Sequence, residues 1–331
     1  MIVRTPFPSS YSVGVYDFGF SRGAYTVRCL GGVLTFCGLP TRMRNGDSLR
    51  RDPGTAHKIA KEAVKKVYQH TSSRKDRDAT PRQKELLAQR RAIARRFREQ
   101  YGSASANDKP NAIPYFIGVF DTVASIASVG SLLLLAVGVI ALCLITSLVI
   151  WFGYPWLNGL LGIGGLTAVL AAIGIDTFHY WSWFVAVLVL FVLGALIVLG
   201  INTLKVAFEL PEHKWWRTLH FEFGRMRFYD HDLNPDVSFA RHAISIDEDR
   251  AEFKREHWGD PGFDKETSPA WFEQIWFAGD HADIGGSHPE NESRLSDITL
   301  GWMLQAAEAV GLKMDRFLIH VNPAADGMQH D

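Results

Sequence analysis

The sequence predicts an α/β protein whose sheet is interrupted by a membrane-spanning helical insertion. Three observations support this prediction: a turn motif between an apolar strand and a helix at residues 19–23, and two stretches without any charged residue or histidine at residues 122–175 and 180–204. The 331-residue chain has zero formal net charge, and 47% of its residues are hydrophobic. These values average an apolar insertion with the polar segments on either side of it.

The first predicted element is a strand at residues 12–20, which are rich in β-forming side chains. The strand leads into Gly19-Phe20-Ser21-Arg22-Gly23, which has the pattern of a nucleophile elbow. In such a turn a strand passes sharply into a helix, and the flanking small residues let the backbone approach closely. Apolar spacing predicts the helix at residues 24–39. Ser21 is therefore the candidate nucleophile.

The uncharged stretches are too long to be the core of a soluble domain, because about 20 apolar helical residues already span the roughly 30 Å hydrocarbon layer of a bilayer. We predict two spans, at residues 129–151 and 183–204. The glycine-rich segment at residues 157–175 is predicted not to cross fully. Trp and Tyr residues cluster at the boundaries, as in the aromatic belts of membrane proteins.

A basic segment precedes the insertion. Residues 42–109 contain 19 Lys and Arg against 8 Asp and Glu, and the positive-inside rule therefore predicts that the polar parts are cytoplasmic. An arginine-rich helix is predicted at residues 82–101. Its basic face is expected either to face solvent or to contact anionic lipid headgroups. The chain contains no base-reading motif, so nucleic acid is not an expected partner.

Candidate partners of Ser21 follow two further predicted strands. Residues 115–120 are predicted to form a buried strand that ends at Asp121, and α/β folds gather functional groups at the carboxyl ends of strands. Residues 274–277 are predicted to form another strand, and His281 follows in a loop that contains glycines. The order Ser21, Asp121, His281 is the order of the triad in α/β-hydrolases.

Both partners have rivals that the sequence leaves open. Asp247 and Asp283 are alternative acids, and His242 and His288 are alternative bases. The three cysteines lack the spacing of a metal site and are consistent with a reducing compartment. The sequence therefore predicts no metal site and no cofactor.

The following sequence blocks occur in order: GFSRGAYT at residues 19–26 with CGL at 37–39, GVFDTV at 118–123, RHA at 241–243 with Asp247, Glu248 and Arg250, WFAGDHADIGG at 276–286, and SDI at 296–298 with Trp302 and Met303. Together these blocks resemble the DUF2235 family of α/β-hydrolases, which includes phospholipase effectors of bacterial type VI secretion. The resemblance implies a serine esterase with nucleophile Ser21, acid Asp121 and base His281. Gly19, Gly23 and Asp283 are then supporting residues of its motifs.

In that family, strands and an Asp-Gly-Thr block lie well upstream of the elbow, whereas 20 residues precede Ser21 here. The resemblance therefore implies a hydrolase-like sheet that is incomplete at its N-terminus, either because the chain is truncated or because a partner chain supplies the missing strands. The backbone N–H of Arg22 is the expected oxyanion donor. The upstream loop that would supply a second donor is not located.

The sequence thus predicts three segments, which are a first hydrolase part at residues 1–122, the membrane insertion at 123–207 and a second hydrolase part at 208–331. The expected function is that of a serine hydrolase anchored in the bacterial inner membrane, which cleaves lipid or other carboxylic esters. Membrane lipid is then both the anchor and a possible substrate. The alternative is a catalytically inactive, truncated member of the same family that acts as a binding or structural element.

Overall fold

The computed structural model describes residues 15–72, 79–105, 107–123, 129–161, 164–208, 210, 214–222, 232–250, 257–258, 271–315 and 317–330. The chain divides into two compact units. One unit consists of Met1–Ile126 together with Lys205–Asp331, and the other consists of Ala127–Leu204.

The described residues contain six strands: β1 Val15–Phe20, β2 Pro114–Phe120, β3 Leu204–Lys205, β4 His220–Phe221, β5 Phe239–Ser245 and β6 Phe272–Phe277. Four of them form an entirely parallel sheet with the order β1-β2-β5-β6. The carboxyl ends of all four strands therefore meet at one edge of the sheet. Among the described strands, β1 is an outer one. Strands from a partner chain would pair with its outer edge, and their existence stays a prediction.

Nine α-helices occur in the same described ranges: α1 Arg22–Cys37, α2 Pro53–Glu62, α3 Pro81–Tyr101, α4 Val129–Leu161, α5 Gly164–Ala172, α6 Tyr180–Thr203, α7 Trp215–Thr218, α8 His281–Gly285 and α9 Arg294–Ala309. A π-helical segment, Ala63–Tyr68, follows α2, and a short 3-10 helix, Glu290–Glu292, precedes α9. The chain is therefore a mixed α/β protein, as the sequence predicts.

Helices α1 and α9 cover opposite faces of the parallel sheet. On one face Ala24 of α1 packs with Ile117 of β2. On the other face Met303 of α9 packs with Tyr16 and Phe116. Because successive residues of a strand point to opposite faces, the neighbours Phe116 and Ile117 serve the two layers separately. Full burial of each large apolar side chain stabilises the fold by about 2 kcal/mol, so this strand anchors both helices.

The arginine-rich helix predicted at residues 82–101 is α3, and part of its basic surface is internal. The Arg90 guanidinium is buried 3.9 Å from the centre of the Phe36 ring, an arrangement in which the ring face attracts the cation. Arg98 donates to the Phe36 carbonyl oxygen at 2.7 Å and to the Asp108 carbonyl oxygen at 2.8 Å. These two arginines hold α3 inside the larger unit instead of facing solvent or headgroups.

The smaller unit contains two helices that are long and apolar enough to cross a membrane, by length and composition. They are Leu133–Leu160 within α4, with a mean hydropathy of 3.0, and Tyr180–Thr203, with a mean hydropathy of 3.2. Their bounds differ from the predicted spans. Helix α4 continues through Pro155 to Leu161 and so takes up part of the glycine-rich segment, which was predicted to be separate. At 1.5 Å per residue its 33 residues extend about 50 Å.

Helices α4 and α6 pack against each other through polar and aromatic contacts. The Tyr180 hydroxyl donates to the Leu144 carbonyl oxygen at 3.0 Å, and the rings of Tyr154 and Trp183 lie 5.2 Å apart. Most other side chains of the pair face outwards, and none of the most apolar window of α6 is buried. This unit therefore presents a continuous apolar surface to its surroundings.

Candidate active site

Ser21 occupies a strained turn between β1 and α1. Its backbone has φ 57° and ψ −122°, a combination that costs a residue other than glycine about 1 to 3 kcal/mol. Such a turn holds the serine hydroxyl away from the sheet at the start of a helix, which is the feature that defines a nucleophile elbow. The Ser21 N–H donates to the Phe120 carbonyl oxygen at 3.0 Å and so ties the turn to the end of β2.

The two glycines of the elbow motif have different steric roles. A Cβ atom on Gly19 would lie 2.5 Å from the carbonyl oxygen of Gly23 and 2.7 Å from the backbone nitrogen of Ala24. A Cβ atom on Gly23 would meet nothing within 4 Å. The sharp reversal of the chain therefore requires glycine at position 19, whereas position 23 has room for a side chain.

Helix α1 begins immediately after Ser21, at Arg22. The first N–H groups of a helix have no partner within the helix, and the helix dipole favours negative charge at that end. The Arg22 N–H lies in this first turn, directly after Ser21. The Arg22 side chain itself is exposed.

Asp121 and His281 lie in direct contact at the carboxyl edge of the sheet. His281 Nδ1 is 2.6 Å from Asp121 Oδ2, and both side chains are buried. The other carboxylate oxygen of Asp121 accepts a hydrogen bond from the Ser245 N–H at 3.1 Å. A contact of this length between a ring nitrogen and a carboxylate is typical of a strong, charge-assisted hydrogen bond. Asp121 thus fixes the orientation of the imidazole.

The position of His281 depends on a short helix instead of the predicted loop. Asp280 caps α8 by accepting from the N–H groups of Ala282 and Asp283, and the Asp283 side chain accepts from the Asp280 N–H in return. This reciprocal capping box starts a helix at His281. The Phe20 ring lies 4.5 Å from the imidazole, which brings the elbow and His281 together.

Two further residues hold this site: Glu248, which is part of the family resemblance, and Ser245, which the sequence did not single out. The His281 N–H donates to Glu248 Oε2 at 3.2 Å. Arg250 binds the same carboxylate through two nitrogens at 2.7 and 2.5 Å, and these hydrogen bonds lower the pKa of Glu248 to about 2. Ser245 is the last residue of β5, a strand that the sequence pattern did not predict, and Glu248 follows that strand by three residues.

The rival base His242 lies inside β5 and has other partners. Its Nδ1 is 2.9 Å from Gln274 Oε1 and its Nε2 is 3.2 Å from Thr122 Oγ1. Burial lowers the pKa of His242 to about 3. An imidazole with so low a pKa is a weak proton acceptor at neutral pH.

The other rivals are also engaged away from the pair of His281 and Asp121. Asp247 Oδ2 accepts from the Gly279 N–H at 2.7 Å. Asp283 accepts from the backbone and ring of His330 at 2.9 and 2.8 Å. His288 lies 3.7 Å from Asp283.

Two apolar cavities lie beside the elbow. The first has a volume of about 290 Å³ and is lined by Gly19, Phe20, Ile284 and neighbouring residues. The second has a volume of about 460 Å³ and extends along α9 past Met303 and Leu304. Phe18, Phe120 and Leu300 line both cavities, so the two cavities are neighbours.

A strained serine between a strand and a helix, and a buried contact of histidine with aspartate at the same sheet edge, are typical of serine hydrolases with an α/β fold. The sequence model of the T6SS phospholipase effector Tle1-like catalytic domain matches residues 9–143 and 202–306. The chain belongs to this family, which confirms the resemblance to DUF2235 proteins and supports a lipid-hydrolysing function. Neither a curated protein nor a solved structure matches the chain.

Proposed function

We propose that the protein is a membrane-anchored serine hydrolase that cleaves carboxylic esters of lipids with Ser21, His281 and Asp121. The observation that carries the proposal is the 2.6 Å contact between His281 Nδ1 and Asp121 Oδ2, beside a serine with the backbone of a nucleophile elbow. Family membership supports lipid as the substrate class. The apolar cavity lined by Gly19 and Phe20 of the elbow and the cavity next to it support lipid too, because an acyl chain needs an apolar site.

In the proposed mechanism, Asp121 holds the imidazole of His281 with its Nδ1–H towards the carboxylate. Nε2 then accepts the proton of the Ser21 hydroxyl as its oxygen attacks the ester carbonyl carbon. The Arg22 N–H stabilises the negative charge of the tetrahedral intermediate. The intermediate collapses as His281 returns the proton to the leaving alcohol. Water activated by His281 then hydrolyses the acyl-enzyme and releases the fatty acid.

The choice of Asp121 as the acid is testable against its rivals. We expect Asp121→Asn to lower phospholipid hydrolysis by about 10⁴-fold, because the amide would hold the wrong tautomer of His281. Asp247→Asn should have a much smaller effect, since Asp247 contacts Gly279 instead. The measurement is fatty-acid release from phospholipid in mixed micelles by each purified variant. A larger loss in Asp247→Asn than in Asp121→Asn would exchange their roles.

Membrane anchoring is proposed from the smaller unit. Apolar side chains such as Leu134 and Ile201 are 75% and 73% exposed, and soluble proteins rarely present continuous apolar surfaces of this extent. Hydrocarbon would cover this surface, and each helix is longer than the roughly 20 residues needed to cross. Two crossings would return the chain to its original side, so that Ser21, Asp121 and His281 share one compartment.

This topology is testable with cysteines introduced one at a time into a chain that carries Cys29→Ser and keeps the buried Cys37 and Cys143. We expect Ser105→Cys and Lys313→Cys to react with an impermeant maleimide from the cytoplasmic side only. Asp176→Cys, between the two long helices, should react from the opposite side only. All three positions are exposed, so a lack of access would report the membrane. Labelling of positions 105 and 313 from opposite sides would exclude the proposed triad.

A further inference from the structure

A further cavity of the larger unit is lined by α3 and by the chain that follows α6. Its volume is about 270 Å³. Helix α3 contributes Ile93, Arg96 and Phe97, whose spacing of three and four residues places them on one side of the helix. Residues 206–208 and 210 form another part of the lining. Apolar cavities of roughly 150 Å³ already hold a benzene ring, so this one has room for part of an acyl chain.

Hydrogen bonds fix the wall at residues 206–208. The Ala207 N–H donates to Thr218 Oγ1 at 2.9 Å. Arg82 of α3 donates to the carbonyl oxygen of Arg217, the neighbour of Thr218, at 2.7 Å. The segment that carries the wall is therefore attached to α3, and the cavity is part of the fold of this unit.

Exposed aromatic side chains accompany this wall. Helix α6, a proposed membrane span, ends three residues before Val206. Phe208 is 72% and Trp216 is 55% exposed, and the rings of Phe208 and Trp215 lie 5.9 Å apart. Lys214 Nζ lies 5.3 Å from the centre of the Trp216 ring. Exposed tryptophans beside a lysine, directly after an apolar helix, are typical of the membrane–water interface.

The cavity also carries cations that suit a phosphate group. Lys66 and Arg96 belong to its lining, together with the carboxylate of Glu62. The Tyr101 hydroxyl donates to Glu62 Oε2 at 2.7 Å. Arg44 and Lys66 each lie 3.1 Å from Glu62 Oε1. Three cations thus accompany one carboxylate, which leaves net positive charge. The Lys66 side chain is 55% exposed, and because exposed ion pairs are weak, its ammonium group is able to bind a phosphate oxygen as well.

We propose that this cavity binds one membrane phospholipid, with an acyl chain against Ile93, Phe97 and Val206 and the phosphate at Lys66 and Arg96. Hydrogen bonds from cationic side chains to phosphate oxygens are among the strong ones. The lipid is a bound ligand and not the substrate, because the triad lies at the carboxyl edge of the sheet, whereas this cavity is lined by α3 and residues 206–210. It holds the hydrolase unit at the bilayer surface. The inference rests on the membrane anchoring proposed above and not on the ester chemistry.

The test uses the full chain with Ser21→Ala, purified in detergent, so that the probe lipid is not hydrolysed. The probe is phosphatidylglycerol with a diazirine in one acyl chain. After illumination, peptide mass spectrometry should find saturable cross-links within residues 93–100 and 206–210. Lys66→Gln and Arg96→Gln should each raise the lipid concentration for half-maximal cross-linking by about tenfold, since each removes a hydrogen bond from a charged donor.

The matched controls are Lys65→Gln and Arg95→Gln. Each removes an exposed cation next in sequence to one of the proposed phosphate ligands, and Arg95 pairs with Asp108 at 2.8 Å. Both variants should cross-link at the same lipid concentration as the parent chain.

Val206→Trp tests the apolar part of the site, because the indole would occupy the cavity. It should remove the cross-links from both segments. Saturable cross-links confined to other peptides of the folded chain would overturn the proposal. So would equal half-maximal concentrations in the parent chain, Lys66→Gln and Arg96→Gln. These two side chains are exposed or half-buried, so their replacement tests the site even if Val206→Trp does not fold.

The readout does not depend on esterase activity. A failure of this proposal is therefore distinct from a failure of Ser21 as the nucleophile, and the maleimide experiment tests the membrane anchoring separately.

Discussion

Replacement of Ser21 by alanine should abolish labelling by a fluorophosphonate probe and lower phospholipid hydrolysis by about 10⁶-fold. The probe reacts covalently with a serine oxygen that a neighbouring base has activated, and alanine has no such oxygen. Removal of the nucleophile also removes the acyl-enzyme route. The remaining acceleration of hydrolysis then comes only from substrate binding and from the oxyanion donor. Both readouts are measured on the purified chain in detergent.

The matched control for this experiment is Ser105→Ala, which removes an exposed serine in the same unit. It should label and hydrolyse like the wild-type chain. The Ser21→Ala chain should keep its circular dichroism spectrum, since Ser21 makes no side-chain capping bond to α1. Retained labelling in Ser21→Ala would remove Ser21 from the mechanism. A folded wild-type chain that does not label would favour the inactive binding or structural protein.

The second large effect is expected for His281→Gln. Glutamine cannot transfer a proton from Ser21 to the leaving alcohol. Loss of the base lowers the rate of hydrolysis about as much as loss of the nucleophile does, by roughly 10⁶-fold. The comparison variant is His242→Gln, which removes the rival imidazole but keeps a side chain able to hydrogen-bond with Thr122 and Gln274. It should retain most of the activity.

Fatty-acid release from phospholipid again measures the result, with thermal unfolding as the check on folding. If His242→Gln were as inactive as His281→Gln while remaining folded, His242 would be part of the proton path. If His281→Gln remained active, the contact of His281 with Asp121 would be structural. The two variants thus separate a catalytic from a structural histidine.

The strands and helices with strong local patterns could be predicted from the sequence. Continuous apolar runs indicated β1, β2 and β6, and the spacing of apolar residues indicated α1. Strand β5 was missed because Arg241 and His242 interrupt its apolar pattern, although both are buried. Helix α8 was missed because five residues are too few for periodicity, and its start depends on the capping box of Asp280.

The candidate site was only partly predictable for similar reasons. Chain order and strand ends pointed to Ser21, Asp121 and His281, but the rivals differ from them only in which groups they contact. Likewise, the motif contains two equivalent glycines, and only the packing distinguishes Gly19 from Gly23. Contacts between distant segments determine which acid, base and glycine have these roles, and a single sequence does not show those contacts.

The pairing of β2 with β5 also has a consequence for biosynthesis. Asp121 and His281 are 160 residues apart, and both long apolar helices are translated between them. A ribosome therefore completes Ser21 and Asp121 well before His281 exists, and the central strands cannot pair until the whole insertion has been made. If the proposed triad is correct, the nascent chain stays unable to attack lipid while it enters the bilayer. Activity would begin only after the last third of the protein has folded onto the first.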